Sequence, residues 1–103
     1  MKARGEVASF EVLPKERARI VGALDFATVS ALLPAGCEAI ARGQAAVIDL
    51  AGVTHSDSSG LALLIEWLSV AQGAQRALRY ENVPSQLLQL ARLSEVDAMI
   101  AAR

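Results

Sequence analysis

Apolar and polar residues in this chain fall into short blocks separated by turn formers. Phe10 to Leu13 is a β-like run, Pro14-Lys15-Glu16 breaks it, and Arg17 to Leu24 alternates loosely, which predicts a hairpin of two strands. Asp25 is placed to cap a helix in which Val29, Leu32, Leu33, Cys37 and Ile40 recur at helical spacing, with Gly43 as its end. Pro34 and Gly36 interrupt that pattern and predict a kink or a fresh start at Pro34. Ala45 to Leu50 is a continuous apolar run broken only by Asp49, the pattern of a strand buried on both faces. A loop at Gly52–Ser58 follows, then a strong helix from Ser59 to Gln72 with Gly73 as its stop. Leu78 to Glu81 reads as a short strand, Asn82-Val83-Pro84 as a turn, and Ser85 as the N-cap of a helix over Gln86 to Leu93 with Leu87, Leu90 and Ala91 on one face. Val96 to Ile100 forms a last short element of either type. The order β-β-α-β-α-β-α predicts an α/β domain with a mixed sheet and βαβ crossovers.

The helix after the loop is apolar almost all round. At about 100° per residue, Leu61, Leu64, Ile65 and Leu68 share one side and form its core face, while Leu63, Trp67 and Val70 share the opposite side. A surface helix is normally polar opposite its core stripe. Either the rest of the domain covers Trp67, or Leu63, Trp67 and Val70 form a partner-binding face with the tryptophan as its anchor. On the second reading, Trp67→Ala weakens partner binding by about 2 kcal/mol and leaves the fold intact.

Composition narrows the classes of function. The chain has 103 residues, enough for one domain, and its 53% hydrophobic and 4% aromatic content predicts a core of Ala, Val, Ile and Leu with apolar surface left for a partner. The formal net charge is −1 and no basic run is present, so no nucleic-acid partner is expected. No stretch reaches the ~18 apolar residues of a membrane span, so direct membrane insertion is not expected. The opening MKARGEVASF lacks the apolar region of a signal peptide, which points to the cytoplasm. Cys37 is the single cysteine and lies in a helical pattern, where a buried thiol is expected.

The stretch His55-Ser56-Asp57-Ser58-Ser59-Gly60 concentrates the chemistry. Asp57 or Ser58 can accept bonds from the first amides of the following helix. The loop also follows the C-terminal end of a strand, where open α/β sheets place ligand and partner sites. A phosphate on Ser58 is tolerated beside a helix N-terminus but disrupts an apolar contact docked there. His55, Asp57 and Ser58 are too close in sequence to align as base, orienter and nucleophile, and no G-x-S-x-G elbow is present, so no enzyme is expected. One histidine and one distant cysteine make no metal site, and the scattered glycines cradle no phosphate, so no cofactor is expected.

The passage VIDLAGVTHSDSSGLALLIEWL resembles the core of STAS domains, the sulfate-transporter and anti-sigma-factor-antagonist family. The likeness rests on an apolar strand ending near Asp49, a short loop, and Asp57-Ser58-Ser59-Gly60-Leu61 opening a helix. It implies a single STAS domain over 1–103, with a small mixed β-sheet and helices packed mainly on one side. Two branches are implied. GLALLIEWLSVAQ, LRYENVPSQLLQLARL and the LLP of the first helix resemble the cytoplasmic STAS subunit of the Mla phospholipid ABC transporter. That likeness implies an ABC ATPase partner, a permease reached through it, and a place at the inner membrane through the complex. In that branch the hydroxyl residue after the motif aspartate, here Ser58, lies at the interface, with Ser59 beside it. The other branch is the anti-sigma factor antagonist, in which that serine is phosphorylated. Ser58-Ser59 departs from the Thr-Gly common in Mla subunits. Ser56 and Ala62 depart from the apolar residue and glycine common in antagonists.

Overall fold

The computed structural model describes residues 7–101; Met1–Glu6, the basic part of the opening segment on which the leader expectation rests, lies outside the described residues. The elements are β1 (Ala8–Leu13), β2 (Arg17–Leu24), α1 (Val29–Ala41), β3 (Val47–Ser56), α2 (Ser58–Gly73), β4 (Arg79–Glu81), α3 (Ser85–Leu93) and α4 (Asp97–Ala101). The strands form one four-stranded sheet in the order β1-β2-β3-β4, with β1 antiparallel to β2 and the other pairs parallel. The predicted hairpin is present, and its turn places Lys15 and Glu16 at positive φ of 65° and 60°. Two crossovers, β2-α1-β3 and β3-α2-β4, step the same way across the sheet. Right-handed connections then put both helices on the same face.

Burial follows from that. Ala18, Ile20, Ile48, Leu50 and Tyr80 are buried beneath the helices. The opposite face carries a charged row in register across all four strands, Glu11, Arg19, Asp49 and Glu81. Arg19 Nε lies 2.6 Å from Glu11, Arg17 pairs with Glu81, and Asn82 donates to Asp49 at 2.9 Å. Hydrogen bonds from Arg19, Asn82 and Arg17 hold the Glu11, Asp49 and Glu81 carboxyls, respectively, below the ordinary carboxylate range. The expectation that the Ala45–Leu50 run is buried on both faces is therefore corrected. Ala45 and Ala46 precede the strand, and from Val47 onward it alternates, with Ile48 and Leu50 inside and Asp49 on the charged row. The strand also runs six residues past Leu50, to Ser56, where the sequence reads as loop from Gly52, because β2 pairs with it as far as Leu24↔Ser56.

Helix α1 continues through Pro34 as one helix. Its cap position is Thr28, whose hydroxyl donates to Ala23 O, while the Asp25 carboxylate accepts from Ala27 N. Helix α2 ends at Gly73, one residue beyond Gln72, and the left-handed residue that follows it is Gln75, at φ 58°. Pro84 takes the cap position of α3 and Ser85 is its first residue. The last undecided element is the helix α4.

The partner face assigned to Leu63, Trp67 and Val70 is corrected as well. Leu63 is 5% exposed and Trp67 0%. Helix α2 is the central helix of its layer, packed against α1 on one side and α3 and α4 on the other. A helix apolar all round is a buried helix. The Trp67 ring lies over Gly36 of α1, where an added Cβ would fall 2.2 Å from ring carbon Cε2. It meets Phe10 edge-on with centroids 5.5 Å apart, and Nε1–H donates to Leu33 O at 3.2 Å. Val70 is half-buried against the same core. Of the expected core face, Leu61 and Leu64 are buried, and Ile65 and Leu68 are half-buried. What α2 leaves open is a narrow stripe, Ser58, Ala62, Glu66, Ser69 and Gln72, recurring every three or four residues, with Gly73 at its end.

Candidate functional site

The site begins with the aspartate of the DSSG motif. Asp57 is the N-cap of α2, in extended backbone, and its Oδ1 accepts from Ser59 N at 2.8 Å and Gly60 N at 3.3 Å. Its other oxygen accepts from Phe26 N at 3.2 Å, so one carboxylate ties the β2–α1 turn to the first turn of α2. Asp57→Ala removes all three bonds. We expect a loss of about 1 kcal/mol, the usual cost of deleting a cap, read as a lower urea midpoint. Amide hydrogen exchange should also speed up at Phe26 and the first turn of α2; unchanged exchange at Phe26 would discount the tie between the two elements.

Gly60 has a packing reason to be glycine. A Cβ there would lie 2.2 Å from Leu24 O, so the start of α2 sits directly on the end of β2. This close approach leaves Ser58 exposed on the first turn and Ser59 half-buried beside it.

Two grooves flank that turn. One, of about 460 Å³, runs between α1 and α2 and is lined by Phe26, Val29, Leu33, Ser59, Leu63 and Glu66, among others. The other, of about 490 Å³, lies between α2 and α3 and is lined by His55, Asp57, Ser58, Gln86, Leu90 and Leu93, among others. Each has an exposed apolar residue on its wall, Phe26 at 81% and Leu93 at 82%. Ser58 and Ser59 therefore stand on a ridge between two apolar depressions.

The structure keeps Asp57, Ser58, Ser59 and Gly60 together as the sequence suggests, buries Trp67 completely, leaves Leu63 only a small area in a groove wall, and half-buries Val70. It adds Phe26 and Leu93. Both carried a signal in the sequence: Phe26 is a lone aromatic in the turn Asp25-Phe26-Ala27-Thr28, and Leu93 lies off the Leu87-Leu90-Ala91 face of its helix.

The imidazole of His55 turns to Asp25, with Nε2 3.6 Å from Oδ2. Asp57 is occupied with backbone amides, so the loop is not arranged as a triad. Burial pushes the Cys37 thiol up, against the direction that activates a nucleophile. Among the described residues, no three His, Cys, Asp or Glu side chains gather as metal ligands, and no helix is long and apolar enough to cross a membrane.

Comparison with known proteins bears on the family and the fold. The family model STAS_2, described as "Mlab, STAS domain", matches residues 15–101. No curated protein matches the sequence significantly. Among solved structures, the fold is similar to the anti-sigma factor antagonist SpoIIAA in its unphosphorylated form. The TM-score is 0.69 at 18% identity, covering 91% of this chain and 85% of that one. An identity this low speaks for the fold alone, a mixed sheet with its helices on one side. With the family model spanning every element from β2 to α4, the chain belongs to the STAS domains, in the Mlab-like family.

Proposed function

We propose that this chain is a non-enzymatic docking subunit that binds the ABC ATPase of a phospholipid transporter and supports assembly and activity of that complex. The permease is reached through the ATPase, and the chain sits peripherally on the cytoplasmic side of the inner membrane. The observation that carries this reading is the placement of Ser58, exposed on the first turn of α2 between two apolar grooves, in a chain matched by the Mlab model. The contact surface centres on Ser58 and Ser59 and takes its apolar anchors from Phe26 and Leu93, in place of Trp67.

Ser58→Glu tests it. A carboxylate at this position faces the positive end of α2, so the isolated fold should keep its stability or gain a few tenths of a kcal/mol. The same charge carried into a desolvated contact costs binding energy. We expect affinity for the ATPase subunit to fall at least about tenfold, or ~1.4 kcal/mol, by calorimetry. Wild-type affinity in this variant would put the ridge outside the interface.

A second reading, an anti-sigma factor antagonist switched by phosphorylation of Ser58, is favoured by one observation. The exposed hydroxyl lies at a helix N-terminus, which favours a phosphate, in a fold similar to an antagonist solved in its unphosphorylated form. Mass spectrometry of the native protein separates the two. Co-purified ATPase and permease support the transporter reading; a kinase-like anti-sigma factor and about 80 Da added on Ser58 support the switch.

A further inference from the structure

We infer that the groove between α1 and α2 receives an amphipathic helix of the ABC ATPase, carrying a lysine or arginine that pairs with Glu66. This rests on the docking reading above and names what enters one part of that surface. The walls of the groove are helices, whose backbone bonds are satisfied internally, so no row of free amides and carbonyls invites an added strand. Recognition must come from side chains. The floor and walls are Val29, Leu33, Ala62 and Leu63, and Phe26 stands at one end with its ring in solvent. Such a surface suits apolar residues spaced i, i+3, i+4 and i+7.

Charge sets the chemistry of the rim. Glu66 is the one charged side chain lining the groove, and among the described residues no cation lies within salt-bridge distance of it. The nearby acids are otherwise engaged: Asp57 caps α2 and holds Phe26 N, Asp25 faces His55, and Glu38 pairs with Arg42 at 3.0 Å. A basic residue on the incoming helix therefore meets an unopposed carboxylate beside an apolar trough. A second copy of this chain fits poorly. Among the described helices, the large exposed apolar residues are Leu93 on α3 and Met99 on α4, one on each, which make no helical stripe.

The test uses the full chain and the purified ATPase subunit in a calorimeter, with Phe26→Asp, Glu66→Lys and Ser58→Glu, each first shown to keep the wild-type urea midpoint. Phe26 and Glu66 are exposed, so neither substitution touches the core. We expect Phe26→Asp and Glu66→Lys each to weaken binding at least about tenfold. A Lys→Glu or Arg→Glu change on the ATPase helix should restore binding to Glu66→Lys. If wild type binds and Ser58→Glu does not, yet both groove variants bind as wild type, the groove inference fails and the docking reading stands. If wild type does not bind the ATPase, both fall. If Phe26→Asp changes only the chain's own oligomeric state, the occupant is a second copy and the inference is overturned.

Discussion

Trp67→Ala should destabilise the isolated protein by about 3–5 kcal/mol, the range for emptying a large aromatic site in a packed core. A domain of this size has about 5–15 kcal/mol in total, so the variant should lose a large share of its stability and, at the low end of that range, be close to unfolding. The size of the effect follows from what the ring touches. It lies on the bare backbone of Gly36, meets Phe10 of β1 edge-on, and donates to Leu33 O. It thus joins β1, α1 and α2, and alanine leaves a cavity at the junction of all three. Trp67→Phe keeps most of the apolar volume and forfeits the indole bond, so its cost should be nearer 1 kcal/mol plus a packing term. Urea unfolding gives the answer directly. A Trp67→Ala protein with a wild-type midpoint would mean that the ring is not in the core. Weakened partner binding in that same protein would return Trp67 to the interface role that the sequence allowed.

That interface role shows where sequence reading stops. A helical wheel reports which residues share a face, and it placed Leu61 and Leu64 inward and Trp67 on the other side. It cannot report how many neighbours the helix has. Helix α2 lies between α1 and α3–α4, so both of its apolar sides are covered and the stripe from Ser58 to Gln72 is what remains exposed. Gly36 held the missing information: a glycine inside a helix that is otherwise well patterned marks a place where another element comes close, here the Trp67 ring. Strand β3 shows a second limit. Its polar end, Thr54-His55-Ser56, has the composition of a loop, and only pairing with β2 makes it a strand. Local signals were legible where they act locally. The hairpin, the short β4, the α3 face and the Asp57-Ser58-Ser59-Gly60 turn follow from neighbouring residues. Phe26 and Leu93 gain their meaning from being brought to either side of Ser58 by separate elements, which no local pattern encodes.

Gly60→Ala should be the most damaging single-methyl change at the site, costing about 3 kcal/mol, the upper end of the usual range for overpacking. The added Cβ would stand 2.2 Å from Leu24 O and 3.0 Å from Leu24 Cγ. A flexible side chain can rotate away from such a contact; a backbone carbonyl in the β2 strand cannot. The helix must move, and its first turn carries the Asp57 cap bonds to Ser59 and Gly60, whose other carboxylate oxygen holds Phe26 N. Lifting α2 from β2 therefore displaces Ser58 and loosens the Phe26 turn together. Partner affinity should fall by more than the loss of folded protein accounts for. Asp57→Ala, by contrast, loses the bonds and adds no clash, so its stability cost should be about a third as large. Urea midpoints of the two variants, with partner affinity corrected for the folded fraction, test the ranking. If Gly60→Ala proves as stable as wild type, the close seat of α2 on β2 is wrong, and with it the account of why this motif requires glycine.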